Sequence, residues 1–206
     1  MKLISGIFAA AAIAVFSAGI ANAAVLYDNG PVNGTIDAYT ISLPFAVSNS
    51  FTLAQASIVT GVNFGVWTVP GEVVSTVDWA ITSTSFSYPV DGTATVNNGA
   101  LIGLGFGSYP IHFANFSTGS VSLASGTYYL VLQNALSSSG SQVYWDLNNG
   151  PSTATQSGAA IPGSQSFQIL GTTSGAVPEA STWAMLIAGF GLVGAVARRR
   201  RNAIAA

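Results

Sequence analysis

His112 is the single histidine of the chain and sits in Pro110-Ile111-His112-Phe113. An imidazole acting as a general base needs an orienting carboxylate and a nucleophile beside it. No sequence neighbour supplies either, so His112 reads as a strand residue at the surface. Cysteine is absent, which excludes cysteine nucleophiles, disulfide frameworks and zinc sites built on Cys or several His ligands. The acids between residues 24 and 174 are Asp28, Asp37, Glu72, Asp78, Asp91 and Asp146. A glycosidase needs two carboxylates held a set distance apart, and no spacing among these acids singles out a pair. The chain also lacks a nucleophile elbow. No catalytic residue is assigned, and a non-enzymatic protein is expected.

Calcium is the one ion with some support. Asp28, Asp91 and Asp146 stand near Asn and Gly in turn-forming stretches, where carboxylate and carbonyl oxygens suit a hard cation. No Asp-x-Asp-x-Asp motif accompanies them, and plain Asx turns explain the same residues. No cofactor is therefore assigned beyond these weak metal ligands. Aromatic residues suggest a second chemistry, in which flat rings stack on the apolar faces of sugars. Trp67 and Trp145 are the stacking candidates. Val62, Phe64 and Val66 share one strand phase, so Trp67 should point the other way and be exposed. Trp79 and Tyr128 lie on the apolar phase of their own strands, which assigns them to the core.

These residues must be positioned by strands. Val77, Trp79 and Ile81 alternate with polar or small residues, as do Tyr128, Leu130 and Leu132 in part, and period-two alternation marks half-buried strands. Asn29-Gly30, Asn33-Gly34, Asp91-Gly92, Asn98-Gly99 and Asn149-Gly150 are turn pairs. Strands are expected at Thr35–Ile41, Phe45–Leu53, Ser57–Trp67, Thr76–Thr84, Thr93–Val96, Ile111–Phe116, Thr127–Asn134, Gln142–Leu147 and Gln165–Leu170. Short strands without an amphipathic helix imply an all-β fold, an antiparallel β-sandwich or jelly-roll-like domain over 24–170. Tyr27-Asp28-Asn29-Gly30-Pro31 echoes Trp145-Asp146 through Asn149-Gly150-Pro151, read as two strand-to-turn exits of like chemistry.

Charge narrows the partners. Of 206 residues only 6% are charged, against roughly 25% in an ordinary soluble domain. The basic residues are Lys2, Arg198, Arg199, Arg200 and Arg201, with no Lys or Arg between Leu3 and Ala197. A phosphate-neutralising surface cannot be built from such a domain, so nucleic acid is excluded.

The ends read as addresses. Residues 1–23 combine Lys2, an apolar stretch and Ala21-Asn22-Ala23, the layout of a secretory signal peptide. Cleavage is expected between Ala23 and Ala24, after engagement of the Sec export machinery. A linker is expected at 171–176, then a transmembrane helix at 183–197, the arginines 198–201 and a cytoplasmic tail at 202–206. The 15 uncharged residues from Trp183 to Ala197 rise about 22 Å as a helix. The hydrocarbon core is about 30 Å thick, and snorkelling arginines close much of the difference.

Pro178, Glu179 and Trp183, followed by Gly189-Phe190-Gly191 and the arginine cluster, resemble the PEP-CTERM sorting signal. Ala180 replaces the second proline of that motif. The resemblance covers 177–201 and implies processing by exosortase in a Gram-negative bacterium. It further implies a brief stay in the inner membrane, delivery to the cell surface or extracellular matrix, and association with exopolysaccharide or biofilm.

Overall fold

The computed structural model describes residues 23–34, 37–85, 87–174, 185–194 and 198. Its strands, in chain order, begin with β1 (Ala24–Asp28), β2 (Ala38–Thr40), β3 (Ala46–Leu53), β4 (Ser57–Trp67) and β5 (Val74–Thr82). β6 (Gly92–Thr95), β7 (Leu101–Leu104), β8 (Pro110–Leu123), β9 (Gly126–Ser137) and β10 (Tyr144–Asn148) follow. β11 (Ala154–Gln156), β12 (Ala159–Ile161), β13 (Ser164–Gln165) and β14 (Phe167–Thr173) complete the series.

The strands form two antiparallel sheets. One runs β1-β14-β4-β10-β13, with β2 on β10 and with β8 on β4 carrying β7 at the edge. The other runs β12-β11-β3-β9-β5-β6. The all-β expectation holds, with more strands than the alternation announced. β1, β7, β11 and β12 lie outside the expected set because none of them alternates apolar with polar residues along its length. β8 extends well past Phe116, through a polar stretch that pairs with β4 as far as Ser57↔Leu123.

One hydrophobic cluster joins the inner faces of the two sheets. β4 contributes Val62, Phe64 and Val66, β14 Phe167 and Ile169, β3 Val47 and Phe51, β9 Leu130 and Leu132, and β5 Val77 and Trp79. The expected core positions of Trp79 and Tyr128 hold, Tyr128 being packed against this cluster. A polar tie crosses the same interior. Asn49 Nδ2 donates to Gln165 Oε1 at 2.6 Å, and the Gln165 N–H donates back to Asn49 Oδ1 at 3.1 Å. These bonds replace the water that the Asn49 amide and Gln165 Oε1 lose on burial, while Gln165 Nε2 has no partner among the described residues.

Two expectations about the C-terminal part change. Gly171, Thr172 and Thr173 pair with Val59, Ile58 and Ser57 as the end of β14. The expected linker 171–176 therefore starts too early. Ladder hydrogen bonds to β4 order these small residues despite their linker-like composition. Residues 185–194 are helical. Among the described residues no helix is long and apolar enough to cross a membrane, and the ends of the expected span lie outside them. The signal peptide through Asn22, Pro178, Glu179, Trp183 and Arg199–Arg201 also lie outside the described residues.

Candidate functional site

The outer face of the eight-stranded sheet is where the sequence motifs converge. On β4 the inner positions are Val62, Phe64 and Val66, and Trp67 is absent from the core cluster they join. The phase argument thus orients Trp67 correctly. The pairing of β4 with β8 runs unbroken from Gly61 to Trp67, and the register irregularity lies between Val59 and Gly61. Gly65 therefore does not bulge.

Exposure is another matter, because Trp67 is only 4% accessible. Three groups cover it. Asp146 Oδ1 accepts the indole N–H at 2.7 Å. The Asn33 and Gly34 N–H groups bond the same carboxylate at 2.8 and 3.1 Å, which ties the loop after β1 over the sheet. Gly105 crosses the six-membered ring so closely that a Cβ there would lie 2.5 Å from it. Trp67 is therefore not an exposed stacking surface. Sequence phase reports which face a side chain leaves by, not what later segments lay over that face.

Trp145 is also buried, on the inner face. It pairs in register with Val66, packs edge-on against Phe64 and Phe167 with centroids 6.4 and 5.7 Å away, and donates its indole N–H to the Ser166 carbonyl at 2.9 Å. The stacking role expected of it fails for that reason. Its neighbour Asp146 points outward, fully buried under the loop. Burial pushes the Asp146 carboxyl above its ordinary value, against the opposing pull of the Asn33, Trp67 and Gly34 donors.

The aromatic rings that do reach the surface lie beside this buried pair. Asp37, Ala38, Trp67, Phe106, Tyr109 and Tyr144 line an open pocket of about 180 Å³. Tyr144 pairs in register with Trp67, which sets both on the outer face. Tyr109 meets the Tyr144 ring edge-on at 5.8 Å. Phe106 is 83% exposed on a 3-10 turn, Phe106–Ser108, leading into β8. Asp37 precedes β2, and its backbone carbonyl accepts the Leu147 N–H at 2.9 Å. Burial and the Tyr109 phenol beside it push the Tyr144 phenol upward, which keeps the Tyr144 hydroxyl a neutral hydrogen-bonding group. Asp146 does not line the pocket, and protein donors occupy its carboxylate. The arrangement offers ring faces, phenol hydroxyls and one accessible carboxylate. That is equipment for holding a ligand.

Sequence reasoning missed this pocket because Phe106 and Tyr109 lie in a Gly-rich stretch without periodicity. The signal that was available is the pair Tyr144 and Asp146, which alternate with the inward Trp145.

The calcium candidates are separated. Asp28 accepts the Gly30 N–H and the Gln168 amide, at 2.8 and 2.9 Å, and Asp91 accepts the Ile81 N–H at 2.9 Å. Among the described residues no three His, Cys, Asp or Glu side chains form a group able to hold a metal ion. His112 is half-buried in β8, where its Nδ1 has no hydrogen-bond partner among the described residues.

The echoing exits, by contrast, do meet. Asn148 Nδ2 donates to the Asn29 carbonyl at 2.8 Å, while Asn29 Nδ2 donates to Gln165 O and Ser164 Oγ at 2.6 and 2.9 Å. A Cβ at Gly150 would lie 2.0 Å from the Asn29 carbonyl oxygen, so only glycine allows this approach. The two exits line a cleft of about 580 Å³ and anchor the loop that covers Trp67.

The family described as the PEP-CTERM protein-sorting motif matches residues 176–201. The chain carries a PEP-CTERM sorting motif. The match includes Pro178, Glu179, Trp183 and all four arginines, so Ala180 does not abolish it. No curated protein matches the chain. A PEP-CTERM motif marks an exported protein processed by exosortase and associated with the cell surface. The β-rich domain is therefore the cargo that this sorting signal delivers.

Proposed function

We propose that this PEP-CTERM protein is a non-enzymatic component of the cell surface or extracellular matrix that associates with exopolysaccharide in a biofilm. It holds the polysaccharide through the pocket formed by Phe106, Tyr109, Tyr144 and Asp37. The observation that carries this reading is the cluster of surface rings beside the exposed Asp37 carboxylate on an exported domain. Rings present flat apolar faces to the C–H faces of a sugar, while phenols and a carboxylate take up its hydroxyls. The pocket is well below the roughly 300–1,000 Å³ that encloses a drug-sized molecule. It suits one ring of a longer chain, with the rest of the polymer passing outside.

Retention of the exported protein on immobilised extracellular polysaccharide from the producing cells tests this reading. Phe106→Ala and Tyr144→Ala should each lower retention about three- to tenfold, the range expected for removing one aromatic contact. Retention equal to wild type in the double variant would show that the pocket does not bind the polymer.

A further inference from the structure

We infer that the sugar held by this pocket carries a protonated amino group, so that the domain selects a cationic aminoglycan over neutral or uronic-acid polymers. This rests on the glycan-binding reading above and gives it a substrate class. Charge is the first observation. Residues 24–174 carry six carboxylates and no Lys or Arg. In the processed domain no side chain except His112 therefore pairs with a uronate, sulfate or phosphate group, and the new amino terminus at Ala24 is the one other cation. A field of one sign repels polymers of that sign and concentrates those of the other.

Asp37 is the second observation. It is exposed at the pocket. One of its carboxylate oxygens accepts the Ala38 N–H at 2.8 Å, and the other has no partner among the described residues. Between Leu3 and Ala197 the chain has no Lys or Arg, so none competes for that oxygen. Phe106, Tyr109 and Tyr144 beside it are the third. Ring faces attract an ammonium group by their quadrupole, and several rings with one carboxylate make a cage for such a group. An ammonium on the sugar would find an acceptor and ring faces together. An acetamido group in its place would forgo the charge-assisted bond. A lysine side chain shares the ammonium but lacks the sugar ring that Tyr109 and Tyr144 would stack against, so the glycan is the favoured source.

Affinity of the exported protein for a glucosamine hexamer, an N-acetylglucosamine hexamer, a galacturonate hexamer and a lysine-bearing peptide decides the matter. The glucosamine hexamer should bind about tenfold more tightly than its acetylated counterpart, weaken with added salt, and outbind the peptide. The galacturonate hexamer should not bind. Asp37→Asn should remove the preference for the amine, bringing the two glucosamine hexamers to equal affinity, with the melting temperature confirming that the fold persists. Equal affinity for the two glucosamine forms would overturn the amine inference and leave the glycan reading standing. A peptide that binds as tightly as the glucosamine hexamer, or the binding of neither hexamer, would overturn both.

Discussion

Trp67 and Asp146 form a buried pair in which an indole N–H and two backbone N–H groups surround one carboxylate. Removing the ring empties a filled site and strips a donor from a buried charge, so Trp67→Ala should cost about 3–5 kcal/mol. Trp145→Ala should cost a similar amount for its core ring alone. Phe106→Ala should change stability by less than about 0.5 kcal/mol, since its side chain is exposed. Urea unfolding of the three variants checks this contrast. A second expectation concerns pH. The folded Asp146 carboxyl titrates above its ordinary 3.8 through burial, so its proton is held more tightly in the fold than in the unfolded chain. Its stabilising contribution is complete below the unfolded value and is lost as pH rises through the elevated one. The melting temperature of wild type relative to Asp146→Asn should therefore fall as pH rises from about 4 to about 8. Glu72 has the opposite sign. Hydroxyls of Ser137, Ser139 and Ser141 lower its carboxyl, so its contribution appears above the unfolded value and is lost as pH falls through the depressed one.

Among elements, the loops after β1 and β10 act together. The Asn29 side chain satisfies Gln165 O and Ser164 Oγ and accepts the Ser152 N–H at 3.0 Å. Asn29→Ala leaves a buried carbonyl and a buried N–H without their partner, at a cost of at least about 2 kcal/mol. The same loop continues to Asn33 and Gly34, which hold Asp146. Loosening it should expose Trp67, with a red shift in tryptophan emission and faster exchange of its indole N–H. An unchanged spectrum would mean that Gly105 and Asp146 alone keep Trp67 covered. This coupling explains why two short, similar turn sequences far apart in the chain matter to one pocket.

At the scale of the molecule, an almost uncharged surface and a sorting signal define behaviour. Without Lys or Arg the domain cannot make lysine- or arginine-carboxylate pairs, so added salt should leave its melting temperature nearly unchanged through screening. A rise of many degrees in sodium chloride would point to relief of repulsion among the six acids instead. Processing makes a separate prediction. Intact mass of the protein recovered from the cell surface should show a species beginning at Ala24 and lacking Arg198–Arg201. Retention of those arginines at the surface would mean anchoring without exosortase cleavage.

The sequence by itself determined the all-β class, the core positions of Trp79 and Tyr128, the outward phase of Trp67 and the sorting motif. Each depends on local periodicity or on contiguous residues, and both survive folding because a strand's alternation and a linear signal are local properties. The short strands β1, β7, β11 and β12, the cover over Trp67 and the burial of Trp145 were decided only in three dimensions. So was the gathering of Asp37, Phe106, Tyr109 and Tyr144. Asp37 and Tyr144 lie far apart in the chain and meet because β10 pairs with both β2 and β4. Local pattern says which side of a sheet a residue leaves from, whereas exposure depends on which distant segment the hydrogen-bonded register brings across it.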